Sequence, residues 1–138
     1  MKQSIFIITL VCSISSLAHA ETPYQIKAEI NATGEKINTG KNIFFLTIIP
    51  TKPWVLKMKT PLKISLKGTP GLGLGKEVLG KEDVVEPKNE IKQLKTSFNV
   101  TQAGQHTIST NASFFLCTSE ICKRFKDEIE TKFTVNAE

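Results

Sequence analysis

The stretch Leu62-Lys63-Ile64-Ser65-Leu66-Lys67 alternates strictly between apolar and polar residues. Side chains two positions apart lie on the same face of an extended chain, so this alternation predicts a strand with one buried and one solvated face. Strand-like runs recur on both sides of it. They are residues 24–30, 43–49, 91–100, 106–117 and 128–135, with residues 54–58 as a short strand or an extended crossing.

Turn signals separate these runs, and helical periodicity is confined to one turn around residues 123–128. The glycine-rich segment 68–80 lacks the Gly-x-x-x-x-Gly-Lys-Ser/Thr pattern of a phosphate-binding loop, so a flexible connection or a bulged strand end is expected there. Seven to eight short strands in roughly 120 residues predict an all-β fold, an immunoglobulin-like β-sandwich.

The first twenty residues have the pattern of a cleaved signal peptide. A short positive start at Lys2 is followed by an apolar run and then by Ala18-His19-Ala20, a small-x-small cleavage site. The run is too short to span a bilayer. We therefore expect residues 1–20 to be removed and residues 21–138 to form one domain in the periplasm, with no membrane span in the mature chain.

The net charge of +5 comes from lysines spread along the sequence rather than clustered. Nucleic-acid binding favours a dense basic patch with interleaved aromatic residues, and this chain has no such run. We expect no nucleic-acid partner.

Two cysteines, Cys117 and Cys122, remain after signal-peptide removal, and they flank a predicted hairpin-like loop. A disulfide closing so short a loop contributes roughly 2 kcal/mol, against about 4 to 5 for a loop of a hundred residues. This small structural return favours a redox role over a staple. Lys123 and Arg124 would stabilise a thiolate, whereas Glu120 opposes it, so a redox pair and a passive disulfide both stay open.

Other chemistries have weaker support. The mature segment has a single histidine, His106, too few for a conventional zinc site with two cysteines, and a Cu(I) site would need Met58 nearby. We predict neither metal nor cofactor. His106 is expected at the surface or a strand edge, and Trp54 in the core.

The segment 84–135 resembles the N-terminal periplasmic domain of the DsbD thiol:disulfide interchange family, an immunoglobulin-like module. The matching features are the run FLCTSEIC at residues 115–122 and the closing strand ETKFTV at 130–135. The resemblance implies electron relay by thiol–disulfide exchange with thioredoxin-like or other periplasmic redox proteins. It further implies that Cys122 is the attacking cysteine and Cys117 the resolving one.

This sequence departs from the family pattern in two places. Lys123 and Arg124 stand where the family has prolines after the second cysteine, and the stretch DVVEP at residues 83–87 has valines where the family has an aromatic cap residue.

Overall fold

The computed structural model describes residues 22–31 and 36–137, which form two four-stranded antiparallel sheets. The predicted signal peptide lies outside the described residues. The strands are β1 (Tyr24–Ile30), β2 (Gly40–Pro50), β3 (Leu62–Gly68), β4 (Leu72–Leu74), β5 (Val78–Leu79), β6 (Lys92–Val100), β7 (Gly104–Cys117) and β8 (Cys122–Val135), with a short 3-10 helix at Lys81–Asp83.

The strand order identifies the architecture. One sheet runs β1-β2-β6-β4 and the other β5-β3-β7-β8. In immunoglobulin nomenclature β1, β2, β6 and β4 take the positions of strands A, B, E and D, and β3, β7 and β8 take those of C, F and G. This is the arrangement of a constant-type domain, with β5 added beside the strand in the C position. The predicted immunoglobulin-like β-sandwich is therefore confirmed.

The two sheets pack through the apolar faces that the alternation predicted. Phe98 of one sheet lies 5.8 Å from Phe133 of the other, and Tyr24 lies 5.0 Å from Phe114, both measured between ring centroids. The largest fully buried side chains are Phe44, Leu46, Ile48, Ile64, Leu79, Leu94, Phe98, Val100, Ile108, Phe114, Leu116 and Val135. Burial of this apolar surface is the main stabilising contribution to the sandwich.

The last strand is longer than predicted. β8 begins at Cys122 and has 14 residues, so the expected strand over residues 128–135 started too late and the helical turn around 123–128 was wrong. Every β8 residue from Cys122 to Val135 has an antiparallel partner in β7. Phe125 and Ile129 pack against the core between exposed charged neighbours, so the alternation simply continues upstream.

The glycine-rich segment is also more ordered than predicted. It contains β4, paired with β6, and β5, paired with β3, where a flexible connection or a bulged strand end was expected. Gly71 adopts φ of +87° between Thr69 and β4, a conformation that favours glycine. The segment before β3 is an extended crossing, in which Val55 forms an isolated antiparallel bridge with Cys117.

The helical content of the described residues is short. None of it is long and apolar enough to cross a membrane.

Candidate functional site

Cys117 and Cys122 occupy one rung of the β7–β8 ladder, at the neck of the hairpin. Cys117 is the last residue of β7 and Cys122 the first of β8. Their Cα atoms are 4.0 Å apart and their sulfurs form a disulfide. The two predicted site residues are thus brought together, while their redox role stays a prediction.

The hairpin loop has its own hydrogen bonds. The backbone N–H of Thr118 donates to the carbonyl oxygen of Ile121 at 2.8 Å. The hydroxyl oxygen of Thr118 accepts from the backbone N–H groups of Glu120 (3.3 Å) and Ile121 (3.2 Å). With the long β7–β8 ladder behind it, this turn is held in place by bonds other than the disulfide.

The two cysteines differ sharply in exposure. Cys117 is 0% exposed. On the side away from β8 it is covered by Val55, with which it exchanges two backbone hydrogen bonds of 2.9 Å. Cys122 is exposed and begins β8, the strand at the edge of its sheet. A thiol approaching from solvent therefore reaches Cys122 first.

Cations lie next to the exposed cysteine. Lys123 and Arg124 are both exposed, and Nε of Arg124 donates to the hydroxyl of Ser113 at 3.1 Å. Within residues 22–31 and 36–137, the ion pairs all involve Lys76, with Glu82 (3.5 Å) and Asp83 (2.8 Å). Lys123 and Arg124 thus make no ion pair within the described part of the chain.

The disulfide end of the sandwich also exposes apolar side chains. Ile121 in the hairpin loop is 49% exposed. The loop before β6 lies at the same end of the sandwich, because β6 starts opposite the end of β2. In this loop Val85 is 42% exposed and Ile91 is 49% exposed. These three side chains lie at the end of the sandwich that carries the disulfide.

The side chain of Lys92 holds the loop before β6 through hydrogen bonds. Its side chain is only 5% exposed, and its ammonium donates to the carbonyl oxygens of Pro87 and Asn89. Burial lowers the pKa of Lys92 below its ordinary value, with Glu90 opposing the shift.

His106 is not at a surface or strand edge, and that prediction was wrong. It is 4% exposed and stacks on Phe133 at 6.1 Å. Its Nε2 is 2.7 Å from the carbonyl oxygen of Gln102, so Nε2 carries a proton and Nδ1 accepts from the Thr69 hydroxyl at 2.9 Å. These two hydrogen bonds offset the desolvation cost of burying the imidazole, so His106 has a structural role.

Trp54 packs against the core as predicted, edge-on to Phe125 at 5.9 Å. Across the described residues, no group of three or more His, Cys, Asp or Glu side chains is arranged to hold a metal ion. Met58 is half-buried and packs against the core.

Sequence reasoning missed two properties of this site. It gave no sign that Cys117 is covered by Val55, because that bridge joins residues far apart in the chain. It also missed that β8 begins at Cys122. The apolar residues Phe125 and Ile129, four positions apart, were a signal for the longer strand that the charged residues between them obscured.

No protein-family model and no curated protein sequence matches the chain. Among solved structures, a FixG-related protein from Vibrio parahaemolyticus is similar at 18% identity, covering 83% of this chain and 98% of that one, with a TM-score of 0.45. AggA, the major subunit of aggregative adherence fimbriae type I from Escherichia coli, is 15% identical over 86% and 99% of the two chains, with a TM-score of 0.42. The yeast GGA1 GAE domain is 13% identical over 83% and 96%, with a TM-score of 0.32. Likenesses this distant carry no function to this chain.

Proposed function

We propose that this chain is a periplasmic thiol–disulfide exchange module that relays electrons to or from partner redox proteins through Cys117 and Cys122. Export by residues 1–20 and kinship with the N-terminal domain of DsbD belong to the same proposal. The observation that carries it is the pairing of an exposed Cys122 with a buried Cys117 on one rung at the tip of the sandwich.

This geometry suits stepwise exchange, which needs one reachable sulfur and a second thiol close enough to resolve the intermediate. A partner thiolate attacks Sγ of Cys122, the Cys117–Cys122 bond breaks, and Cys117 leaves as a thiolate. The partner's second thiolate then attacks its own sulfur in the mixed disulfide, and Cys122 leaves. Two electrons pass from the partner to the module.

The reverse sequence reduces an oxidised partner. Cys122 attacks the partner disulfide, and Cys117 then attacks Sγ of Cys122 to release the partner as a dithiol. Cys122 is the attacking residue in this direction and Cys117 the resolving one, the roles that the resemblance implies.

The small structural need for the bridge supports this proposal. The turn is already held by Thr118 and by the β7–β8 ladder. A disulfide closing a loop this short adds roughly 2 kcal/mol in the loop-entropy description. Opening the bridge therefore leaves the sandwich folded.

One observation favours a second candidate, an immunoglobulin-like binding or structural domain with a passive disulfide. Cys117 is completely buried, and its backbone is bonded to Val55 as well as paired with β8. A sulfur enclosed in this way is a poor leaving group if burial disfavours the thiolate.

Trapping separates the two candidates. In the Cys117→Ser variant, Cys122 keeps its thiol but the resolving residue is gone, so mixed disulfides with partners persist. We expect this variant to retain redox proteins, thioredoxin-like ones among them, from periplasmic extract as reductant-sensitive adducts. The matched Cys122→Ser variant, with only the buried thiol, should retain none. Absence of adducts from both variants would favour the passive disulfide.

A further inference from the structure

The outer face of the β5-β3-β7-β8 sheet changes its charge along its length. Near Cys122 it carries Lys63, Arg124 and Lys126, here called the basic face. Lys63 and Lys126 are in register on either side of Ser113, and Arg124 is opposite Phe115. Alternation places residues 122, 124 and 126 of β8 on the same side of the strand, so the basic face adjoins the exposed cysteine.

Farther from the disulfide the charges balance. Glu128 and Glu130 follow on the same side of β8, and Glu130 is in register with Ser109, whose other neighbour is Lys67. The excess of positive charge on this face is therefore greatest in the rungs nearest Cys122. Glu120, in the hairpin loop, is the acidic side chain closest to the cysteines in the sequence.

The cations of the basic face are accessible. All three are exposed, and they border a shallow groove of about 350 Å³. Asp127 and Glu128 also border this groove. Asp127 lies on the other side of β8 from Lys126 and Glu128, where its carboxylate accepts a hydrogen bond from the Tyr24 hydroxyl of the opposite sheet.

We propose that the basic face docks an acidic surface of the partner protein and so delivers the partner's sulfur to Cys122. This inference rests on the proposed function and adds the chemistry by which partners are chosen. Charge complementarity steers encounters and fixes orientation more than it adds affinity. Arg124 is about 7 Å from Cys122 along an extended strand, within the screening length of about 8 Å at physiological ionic strength.

The inference predicts charge selection in a defined exchange reaction. The probes are two symmetric disulfides of short cysteine peptides, one with glutamates flanking the cysteine and one with lysines. Reduced protein attacks the probe through Cys122 and releases one peptide thiol. Cys117 then displaces the second, so that one protein dithiol becomes a disulfide and one peptide disulfide becomes two thiols.

The quantity measured is the ratio of the rate constants with the acidic and the basic probe, divided by the same ratio for dithiothreitol. We expect a normalised ratio well above one at low salt, decreasing as salt is added. The Arg124→Gln/Lys126→Gln variant should lower this normalised ratio by about threefold to tenfold, which is near the lower limit of the rate enhancements that electrostatic steering produces.

The matched control is the Lys67→Gln/Lys132→Gln variant, which removes two lysines from rungs about 27 to 34 Å along the ladder from the disulfide. It should leave the ratio unchanged. A normalised ratio near one in the unmodified protein, or equal losses in both variants, overturns the inference while leaving exchange by Cys122 intact. Failure of the reduced protein to react with either probe, when dithiothreitol does, overturns the proposed function itself.

Discussion

The hydroxyl of Tyr24, in the first strand, donates a hydrogen bond of 3.1 Å to Oδ2 of Asp127, in the last strand. The bond joins the two sheets beside the ring cluster of Tyr24, Phe114 and Phe125. Burial, together with the adjacent carboxylate, raises the pKa of Tyr24 to about 12. The aromatic core under the disulfide end is thereby tied across the sandwich.

This bond can be tested by titration because the chain has a single tyrosine. We expect tyrosinate absorbance to appear with a pKa of about 12 in the folded protein, against about 10 in denaturant. Because the pKa of Tyr24 is higher in the folded state, the neutral side chain stabilises the folded protein at pH values below the unfolded pKa. This stabilisation is lost as the pH rises from about 10 through 12. The loss is on the order of 2 to 3 kcal/mol, and Tyr24→Phe should remove this part of the pH dependence. Identical titration in both states contradicts the account.

A second prediction concerns two threonines in different polar environments. Among the described residues, the Thr110 hydroxyl is the buried side-chain polar atom without a hydrogen-bond partner. Thr110→Val should therefore raise the free energy of unfolding by about 1 kcal/mol. The matched change Thr69→Val removes a hydroxyl bonded to His106 and to the Thr107 N–H, and should lower it by about 1 to 2 kcal/mol. Denaturant unfolding measures both, and effects of the same sign would refute the assignment.

Lys92 gives a prediction about loop order. Replacing it with methionine keeps the buried stem but removes the donors to Pro87 and Asn89. We expect faster amide exchange in residues 85–90, with the strands unaffected. Lys95→Met, an exposed change on the opposite face of β6, is the control and should leave exchange in the loop unaltered. Unchanged loop exchange in Lys92→Met would show that the ammonium does not hold the loop.

The difference in exposure between the cysteines predicts unequal thiol reactivity. In the reduced, folded protein, alkylation followed by peptide mapping should modify Cys122 at least about tenfold faster than Cys117, which reacts only when the structure opens locally. In denaturant the two rates should converge. Equal native rates would remove the structural basis for assigning Cys122 as the attacking residue.

Much of the fold was predictable because most strands have one buried and one solvated face. The predicted alternation of β3 was confirmed, and the predicted strand runs at 24–30 and 91–100 form β1 and β6, with Leu94, Phe98 and Val100 buried. Errors arose where contacts between residues far apart in the sequence determine whether a strand forms. β4 and β5 are too short to show a period, and each forms by pairing with a strand elsewhere in the chain.

The site was predicted in part for the same reason. A hairpin places its two strand ends together, so the proximity of Cys117 and Cys122 follows from local pattern. The burial of Cys117 depends on Val55, 62 positions away, and that of His106 on partners in the preceding turn and on Phe133. Neither is encoded in a local period.

The central claim is that the Cys117–Cys122 bond opens and closes while the sandwich stays folded. Equilibration with dithiol buffers of graded potential, with thiol counting and the near-ultraviolet signal of Trp54 recorded on the same samples, tests this most directly. We predict reversible two-electron reduction at a potential above about −300 mV with the aromatic signal retained. A bridge that stays oxidised down to that potential, or that is reduced only as the aromatic signal is lost, would contradict the claim.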